Sequence, residues 1–186
     1  MRESFQRIVK LLNNLTQEKI IKNFALVGGL AVSSWTVPRA TKDIDFLVHL
    51  TEQLNKKNID LLNKRIQKEF HKTEVMMDNL LGMYVIRIDD GVTIIDLIIA
   101  SKNWHEKILD DLTQVNSSIF GTQINIAKPE GLIVMKMKGS SPQDIIDVKN
   151  LYELENIDKN KLFLLAKSAR VDKRLRKLLT NKKALS

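Results

Sequence analysis

Cysteine is absent from the 186 residues of this chain. Its absence excludes disulfide bonds and thiolate metal sites, and with them any argument for an oxidising compartment. The sequence also lacks a run of about 18 consecutive apolar residues, the length that indicates a membrane-spanning helix. The segment MRESFQRIVKLLNNL alternates apolar and polar residues at helical spacing and has no continuous apolar core of the kind that a signal peptide needs. We therefore expect a cytoplasmic protein without a membrane partner.

The composition that is present is that of an ordinary globular protein, with 44% hydrophobic and 28% charged residues. No internal repeat and no low-complexity segment interrupts it. A chain of this length can bury a core as one domain, or as one domain with a helical extension.

Basic residues are in excess and are unevenly distributed. The formal net charge is +8, and residues 159–186 contain ten Lys or Arg against one acid, Asp172. A basic carboxy-terminal region indicates a polyanionic partner. The alternative is a solvated helix face followed by a frayed tail, and composition alone does not separate the two.

Apolar periodicity predicts an α+β fold in which helices alternate with a mostly non-parallel sheet over residues 1–127, followed by a helical region over residues 128–186. Thr51 is the expected N-cap of a helix reaching about Phe70, and Asp90-Gly91 is expected to join two antiparallel strands. Ser141 before Pro142 predicts a further helix start. The other predicted helices lie near residues 2–15, 30–35 and 104–112 and begin again at 129, and the predicted strands cover 24–28, 43–50, 83–89, 92–100 and 123–127.

Three carboxylates lie inside apolar strands. Asp43 and Asp45 are one residue apart, so in a strand they share a face and repel each other unless a positive charge lies between them. Asp96 lies in VTIIDLIIA, on the same face as Ile94 and Ile98, where an unpaired charge is expensive. A single aspartate of this kind is often solvated or paired with lysine. Three are better explained together, as ligands of divalent cations, and oxygen ligands favour Mg²⁺ or Mn²⁺ over zinc.

Two adjacent glycines, Gly28 and Gly29, end the apolar stretch that precedes these acids. A strand that stops at Gly-Gly and turns into a short helix exposes backbone N–H groups that can bind phosphate, and glycine permits the close approach. Phosphate-binding amides beside metal-binding carboxylates indicate nucleotide chemistry.

These residues resemble the nucleotidyltransferase superfamily typified by DNA polymerase beta. Its pattern is an apolar strand, Gly-Gly or Gly-Ser, a gap of about ten residues, Asp-apolar-Asp and a third acid on a later strand. Here these are Gly28-Gly29, Asp43-Ile44-Asp45 and Asp96. PRATKDIDFLV also resembles abortive-infection toxins of the AbiEii/AbiGii type, which often have Arg-x-Ser/Thr-x-Asp-apolar-Asp, matched by Arg39, Thr41, Asp43 and Asp45. Residues 132–154 are similar to the helical region of that group, with Lys136, Asp144 and Asp147 at its motif positions.

The resemblance implies a nucleotidyltransferase-type mixed sheet flanked by helices, with a catalytic domain over residues 1–127. It implies transfer of a nucleoside monophosphate from a nucleoside triphosphate such as ATP to a hydroxyl, with release of pyrophosphate. Asp43, Asp45 and Asp96 would hold Mg²⁺ or Mn²⁺, and Asp96 could also act as the base. The residues expected to bind the nucleotide are Gly28, Gly29, Ser33, Arg39, Thr41 and Lys136. Ser33 enters this set because Leu30 stands where many relatives have Ser or Thr.

Three functions are compatible with this site. The leading expectation is an enzyme that nucleotidylates RNA, with tRNA as the favoured acceptor. Such an enzyme would act as a toxin that a cognate antitoxin restrains. An antibiotic-type enzyme acting on a small molecule would need an acidic acceptor pocket, which the positive net charge disfavours. A catalytically idle binding module or an antitoxin is the third. His49, His71 and His105 are expected on the surface or in loops, and Trp35 and Trp104 in the core or at its rim.

Overall fold

The computed structural model describes residues 1–78, 82–117, 121–139 and 141–180, the side chains of residues 78 and 117 excepted. The helices are α1 Arg2–Gln17, α2 Gly28–Ser33, α3 Lys56–Ile66, α4 Asn103–Leu109, α5 Pro129–Lys138, α6 Pro142–Tyr152, α7 Lys159–Ser168 and α8 Asp172–Thr180. The strands are β1 Ile21–Val27, β2 Asp43–Leu50, β3 Thr73–Asp78, β4 Met83–Asp89, β5 Ile94–Ile99, β6 Leu112–Ser117 and β7 Thr122–Ala127.

The strands form one mixed sheet in the order β3-β4-β5-β2-β1-β7-β6. The β2/β5 and β1/β7 pairs are parallel, and the other neighbouring strands are antiparallel. The predicted hairpin from β4 to β5 is confirmed. The side chain of Asp90 accepts the N–H groups of Val92 and Thr93, and Gly91 adopts a φ of 85° in the turn. The α+β class and the mixed sheet are therefore confirmed.

One face of the sheet packs in the core, and the other carries the acidic residues. Phe46 of β2 contacts Phe5 of α1 and Phe24 of β1, with ring centroids 5.9 Å apart in both pairs, so this face forms a buried core with α1. Successive strand residues point to opposite faces, and Asp43 and Asp45 therefore lie on the other face. Helices α2 and α5 pack against each other, and α2 also contacts β1 and β2. The acidic face is thus covered only in part.

Several predicted helix boundaries are wrong. The helix expected over residues 30–35 covers Gly28–Ser33, and the helix expected to reach about Phe70 ends at Ile66. The helix expected from Thr51 begins at Lys56, because Asn55 is the residue whose side chain accepts an N–H group of the first turn, that of Asn58. The helix expected to reach Leu112 ends at Leu109, and Leu112 opens β6.

The strands β3 and β6 are absent from the sequence-based prediction. Both are edge strands of the sheet. Each pairs with only one neighbouring strand and is exposed along its other edge. Their sequences, TEVMMD and LTQVNS, accordingly mix polar and apolar residues.

The described residues after 127 are helical, as predicted. Pro129 and Pro142 each lie in the first turn of a helix, and Ser141 and Asp144 form a reciprocal capping box at the start of α6. The division of the chain at residue 127 stays a prediction, and the expected tail with Lys182 and Lys183 lies outside the described residues. Among the described residues, no helix combines the length and the apolarity that crossing a bilayer requires.

Candidate active site

The parallel pairing of β2 with β5 brings two of the predicted acids together. Asp45 is the register partner of Asp96, and Asp43, two residues earlier at the start of β2, is the partner of Ile94. Burial contributes most to a rise in the pKa of Asp45 to about 6, and the negative charge of Asp96 comes next. Lys136 lowers this pKa, Asp43 raises it further, and the backbone N–H of Gly29 lowers it. The repulsion expected between neighbouring acids is therefore present at Asp45.

The Gly28-Gly29 turn lies directly against this carboxylate. A Cβ on Gly28 would be 1.9 Å from Oδ2 of Asp45, and Gly28 has a φ of +67°. A Cβ on Gly29 would be 2.8 Å from Oγ1 of Thr41 and 3.1 Å from Nη2 of Arg39. Only glycine allows the start of α2 to approach Asp45 and Thr41 so closely.

Asp96 is held by an arginine that the sequence reasoning missed. Arg87 of β4 donates from Nε to Oδ1 of Asp96 at 2.8 Å and from Nη2 to Oδ2 at 2.7 Å. These hydrogen bonds raise the pKa of Arg87. The register of the predicted hairpin could have identified this pair, because counting outward from the turn over residues 90–93 places Arg87 opposite Asp96.

A second ion-pair network connects the loop before β2 to α5 and α6. Asp147 is 1% exposed, and it accepts Nε of Arg39 at 3.0 Å and Nη2 of Arg39 at 2.8 Å. Lys136 is 3.1 Å from Asp147 and 2.9 Å from Asp144, and Gln143 donates to Asp147 at 2.9 Å.

The charges of this network determine the pKa values of its buried members. Burial acts to raise the pKa of Asp147, but hydrogen bonds from Arg39, Gln143 and Lys136 lower it overall. Burial likewise acts to lower the pKa of Lys136, but hydrogen bonds to Asp144 and Asp147 raise it overall. Both groups therefore stay charged, and Arg39 and Lys136 are held on the acidic face of the sheet.

A cleft with a cavity of about 190 Å³ opens beside Asp45. Its polar wall includes Asp45, Lys136 and Asp144, and its apolar wall includes Met83, Ile98 and Trp104. A chamber lined by two carboxylates, two lysines and apolar surface suits a ligand that has both charged and aromatic parts.

The predicted nucleotide-binding residues occupy different places around this cleft. Gly28 and Lys136 line the cleft. Gly29, Thr41 and Arg39 lie close to one another but are not part of its lining. Ser33 lies farther along α2, where its hydroxyl exchanges long hydrogen bonds of 3.4 Å with the backbone of Arg39. Ser33 thus holds the loop before β2, and its role toward a nucleotide stays a prediction, as do the roles of the other residues.

The acids fit a divalent cation in part. Asp43 and Asp45 offer oxygen ligands on one face, and burial first and then the negative charges of Asp96 and Asp43 raise the pKa of Asp45, a strain on its ionised form that a cation would relieve. Both oxygens of Asp96, in contrast, accept hydrogen bonds from Arg87. Within the ranges that the structure describes, no group of three or more His, Asp or Glu side chains could hold a metal ion.

His105 is fully buried, so its expected place on the surface is wrong. Its Nδ1 accepts the N–H of Ser101 at 3.1 Å. Burial first, and then the charges of Lys102 and Lys138, lower the pKa of His105 to about 3. The imidazole is therefore neutral and structural. Trp104 is 6% exposed and packs at the rim of the cleft, as expected.

Similarity to known structures covers nearly the whole chain. A nucleotidyltransferase-like antigen from Paracoccidioides brasiliensis is 20% identical over 97% of this chain and 89% of its own, with a TM-score of 0.55. The antibiotic-resistance factor ANT(2'')-Ia is 14% identical in its solution structure, over 99% of this chain and 100% of its own, with a TM-score of 0.53. Its crystal structure with adenylyl-2''-tobramycin is 13% identical over 90% and 97%, with a TM-score of 0.52. At these identities the likeness establishes the fold.

No curated protein sequence matches the chain significantly. The family model DUF6036, described as a nucleotidyltransferase of unknown function, matches residues 3–182. The chain therefore belongs to this family of nucleotidyltransferases and is an enzyme of the nucleotidyltransferase class, as its motifs indicated.

Proposed function

We propose that the protein transfers a nucleoside monophosphate from a nucleoside triphosphate to a hydroxyl of RNA, with tRNA as the favoured acceptor. The observation that carries this proposal is the position of Asp45, which lies beside the Gly28-Gly29 turn and shares a cleft with Lys136. A metal-binding carboxylate, a close backbone approach and a cation are the groups that phosphoryl transfer requires.

The reaction forms one bond and breaks one. The acceptor oxygen attacks the α-phosphorus, the bond from that phosphorus to the bridging oxygen of the β-phosphate breaks, and pyrophosphate leaves. Asp43 and Asp45 would hold Mg²⁺ or Mn²⁺, which neutralises phosphate charge and lowers the pKa of the attacking hydroxyl. Asp96, oriented by Arg87, is the carboxylate that we propose to receive the hydroxyl proton.

Lys136 is the cation that would bind the triphosphate, and Arg39 would act through the loop before β2. Asp144 and Asp147 compensate the charges of both. Lys136 has three donors, so its ammonium group can bind a phosphate oxygen while keeping a contact with one carboxylate. Arg39 uses its Nε and Nη2 on Asp147, and its contribution is to hold the loop that leads into Asp43.

A toxin role restrained by a cognate antitoxin, in the cytoplasm where nucleoside triphosphates are supplied, completes this proposal. Its support is the likeness of PRATKDIDFLV to toxins of the AbiEii/AbiGii type. Expression of the wild-type protein should arrest growth, and expression of the Asp43→Ala/Asp45→Ala variant should not. Equal growth of the two strains at equal protein levels would contradict the toxin role.

The activity is tested by incubating the protein with each radiolabelled nucleoside triphosphate, Mg²⁺ and total RNA. We expect label in RNA with the wild type and none with the Asp43→Ala/Asp45→Ala variant. Asp60→Ala is the matched control, because Asp60 is an exposed aspartate of α3. Absence of label in every acceptor offered would refute the enzymatic proposal and favour the idle binding module.

A small-molecule acceptor is the second candidate. It is favoured by the fold that this chain shares with ANT(2'')-Ia over almost its full length. The net charge of +8 disfavours it, because a cationic antibiotic would be repelled, whereas the cleft itself is balanced, with Asp45 and Asp144 facing Lys136 and Lys138. Adding tobramycin as an acceptor to the labelling assay separates the two, since label would then move to a small product.

A further inference from the structure

A second cavity, of about 540 Å³, adjoins the catalytic cleft. It shares two residues with the cleft, Trp104 and Lys138. Its polar lining comes from three separate segments of the chain, namely the start of α4, the end of α5 and the turn between α7 and α8. The polar residues are Ser101, Lys102, Asn103, Lys138, Ser168 and Arg170.

The three cations of this lining lack a counter-charge among the described side chains. None of the described residues that line the cavity is acidic. In the part of the chain for which side chains are described, none of Lys102, Lys138 and Arg170 forms an ion pair. Burial lowers the pKa of Lys138, and the neighbouring charges of Arg170 and Lys102 lower it further. The cations therefore repel one another, and an anion between them would relieve the repulsion.

The turn after α7 places Arg170 in the lining of the cavity. Helix α7 ends in a Schellman motif, in which Val171 donates to the carbonyl of Ala166 at 2.9 Å and Arg170 to that of Lys167 at 3.0 Å. Arg170 has a φ of 59°, at the position where glycine is strongly preferred. An arginine here strains the backbone while it directs a guanidinium to the cavity.

Basic side chains continue from this cavity along α8. Arg174 donates to the carbonyl of Met137 at 3.0 Å, and Arg174 and Lys177 line a third cavity together with Lys136 and Asp144. Arg174 and Lys177 are three residues apart in α8 and therefore share a helix face, and Arg170 precedes the start of this helix. Cations thus lie on both sides of the catalytic cleft, which favours an extended polyanion over a single phosphate ion.

We propose that Lys102, Lys138 and Arg170 form a subsite that binds the phosphodiester backbone of the acceptor strand. This inference rests on the proposed transfer to RNA and places the strand across the mouth of the cleft, with its hydroxyl directed toward Asp45. The triphosphate of the nucleotide could also bind in the cavity, so the test measures the binding of both RNA and a nucleoside triphosphate.

The test compares two glycine substitutions in equivalent turns. Arg170→Gly removes a charge and relieves a positive φ. Lys19→Gly does the same at the end of α1, where Lys19 also has a φ of 59° within a Schellman motif. Lys19 is exposed and does not line the catalytic cleft or the cavity beside it. Both variants should therefore unfold at the same temperature as the wild type or at a higher one.

Binding of a fluorescently labelled single-stranded RNA is measured without nucleoside triphosphate over a series of salt concentrations. Loss of one phosphate contact should weaken binding about 5-fold near 0.1 M salt and reduce the slope of log K against log salt by about 0.7. We expect this for Arg170→Gly and no change for Lys19→Gly. The triple variant Lys102→Ala/Lys138→Ala/Arg170→Gly should bind RNA about 100-fold more weakly, and the slope of log K against log salt should be reduced by about 2.

Three results would overturn the subsite. The first is RNA binding by Arg170→Gly that is as tight as that of the wild type. The second is a loss of RNA affinity in Lys19→Gly equal to the loss in Arg170→Gly. The third is weaker binding of a non-hydrolysable nucleoside triphosphate by Arg170→Gly with RNA binding unchanged, which would assign the cavity to the nucleotide. Failure of the RNA-labelling reaction with RNA binding still sensitive to Arg170→Gly would instead refute the proposed transfer and keep the subsite.

Discussion

Arg39 and Asp147, which are 108 residues apart in the chain, form a two-point ion pair on the acidic face of the sheet. The guanidinium fork of Arg39 matches both carboxylate oxygens of Asp147, at 3.0 and 2.8 Å. Through this pair the loop that precedes Asp43 is fixed to α6, the helix that also supplies Asp144 to Lys136. The ion pair therefore links the predicted metal-binding strand to the helical region.

Arg39→Ala should lower the free energy of unfolding by about 1–3 kcal/mol. The value is below the 3–5 kcal/mol typical of a broken buried pair, because Asp147 keeps Lys136 and Gln143 as partners. Urea unfolding measures the change. Arg65→Ala is the control, since its partner Glu18 is 42% exposed against 1% for Asp147, and this pair should contribute less than about 1 kcal/mol. Equal effects in the two variants would contradict a structural role for the Arg39 pair.

Asp45→Asn should stabilise the metal-free protein at neutral pH. The pKa of Asp45 is about 6 in the folded protein against 3.8 for a free aspartate side chain, so the folded state binds a proton more tightly than the unfolded state and stability falls as pH rises from about 4 to about 6. Asparagine removes that dependence. We expect a gain of about 1–3 kcal/mol at pH 7.5 and little at pH 4. Thermal unfolding across this range measures it, with Asp60→Asn as an exposed control, and a gain independent of pH would argue against charge as the cause.

Arg87→Gln should destabilise the metal-free protein and increase its response to Mg²⁺. The change leaves Asp96 uncompensated beside Asp45, which should reduce stability by about 1–2 kcal/mol, a value lowered because Arg87 is 45% exposed. It also frees both oxygens of Asp96 for a cation. Thermal unfolding with and without MgCl₂ tests both parts. Lys72→Gln, which breaks an exposed pair with Asp89, should leave the Mg²⁺ response unchanged.

Gly28→Ala should damage the protein more than Gly91→Ala, although both residues have a positive φ. At Gly91 a Cβ meets nothing within 4 Å, so the change should cost only backbone strain, about 1 kcal/mol. At Gly28 the new Cβ would be 1.9 Å from Oδ2 of Asp45, so the carboxylate or the turn must move, at roughly 3 kcal/mol or more. Urea unfolding measures the costs. Similar losses at both sites would show that the approach of Gly28 to Asp45 is unimportant.

Local patterns were sufficient for much of the fold and of the candidate site. The strand from Asp43 to Leu50, the hairpin across Gly91 and the helix start at Pro142 lie where apolar spacing and turn chemistry predicted them. The wrong N-cap shows the limit of such patterns, since Thr51 and Asn55 are both acceptable caps, but the N–H of Thr51 donates to the carbonyl of Ile20 and Asn55 caps the helix. The edge strands β3 and β6 lacked a clear alternation to read.

The sequence by itself determined that two glycines precede two acids on one face of a strand and that a third acid lies on a later strand. It determined this because side-chain direction in a strand depends only on position along the chain. The tertiary structure decided which charges meet: Arg87 with Asp96, Arg39 with Asp147, and Lys102 with Lys138 and Arg170 around one cavity. Such meetings depend on strand order and helix packing, which join residues that no local spacing connects.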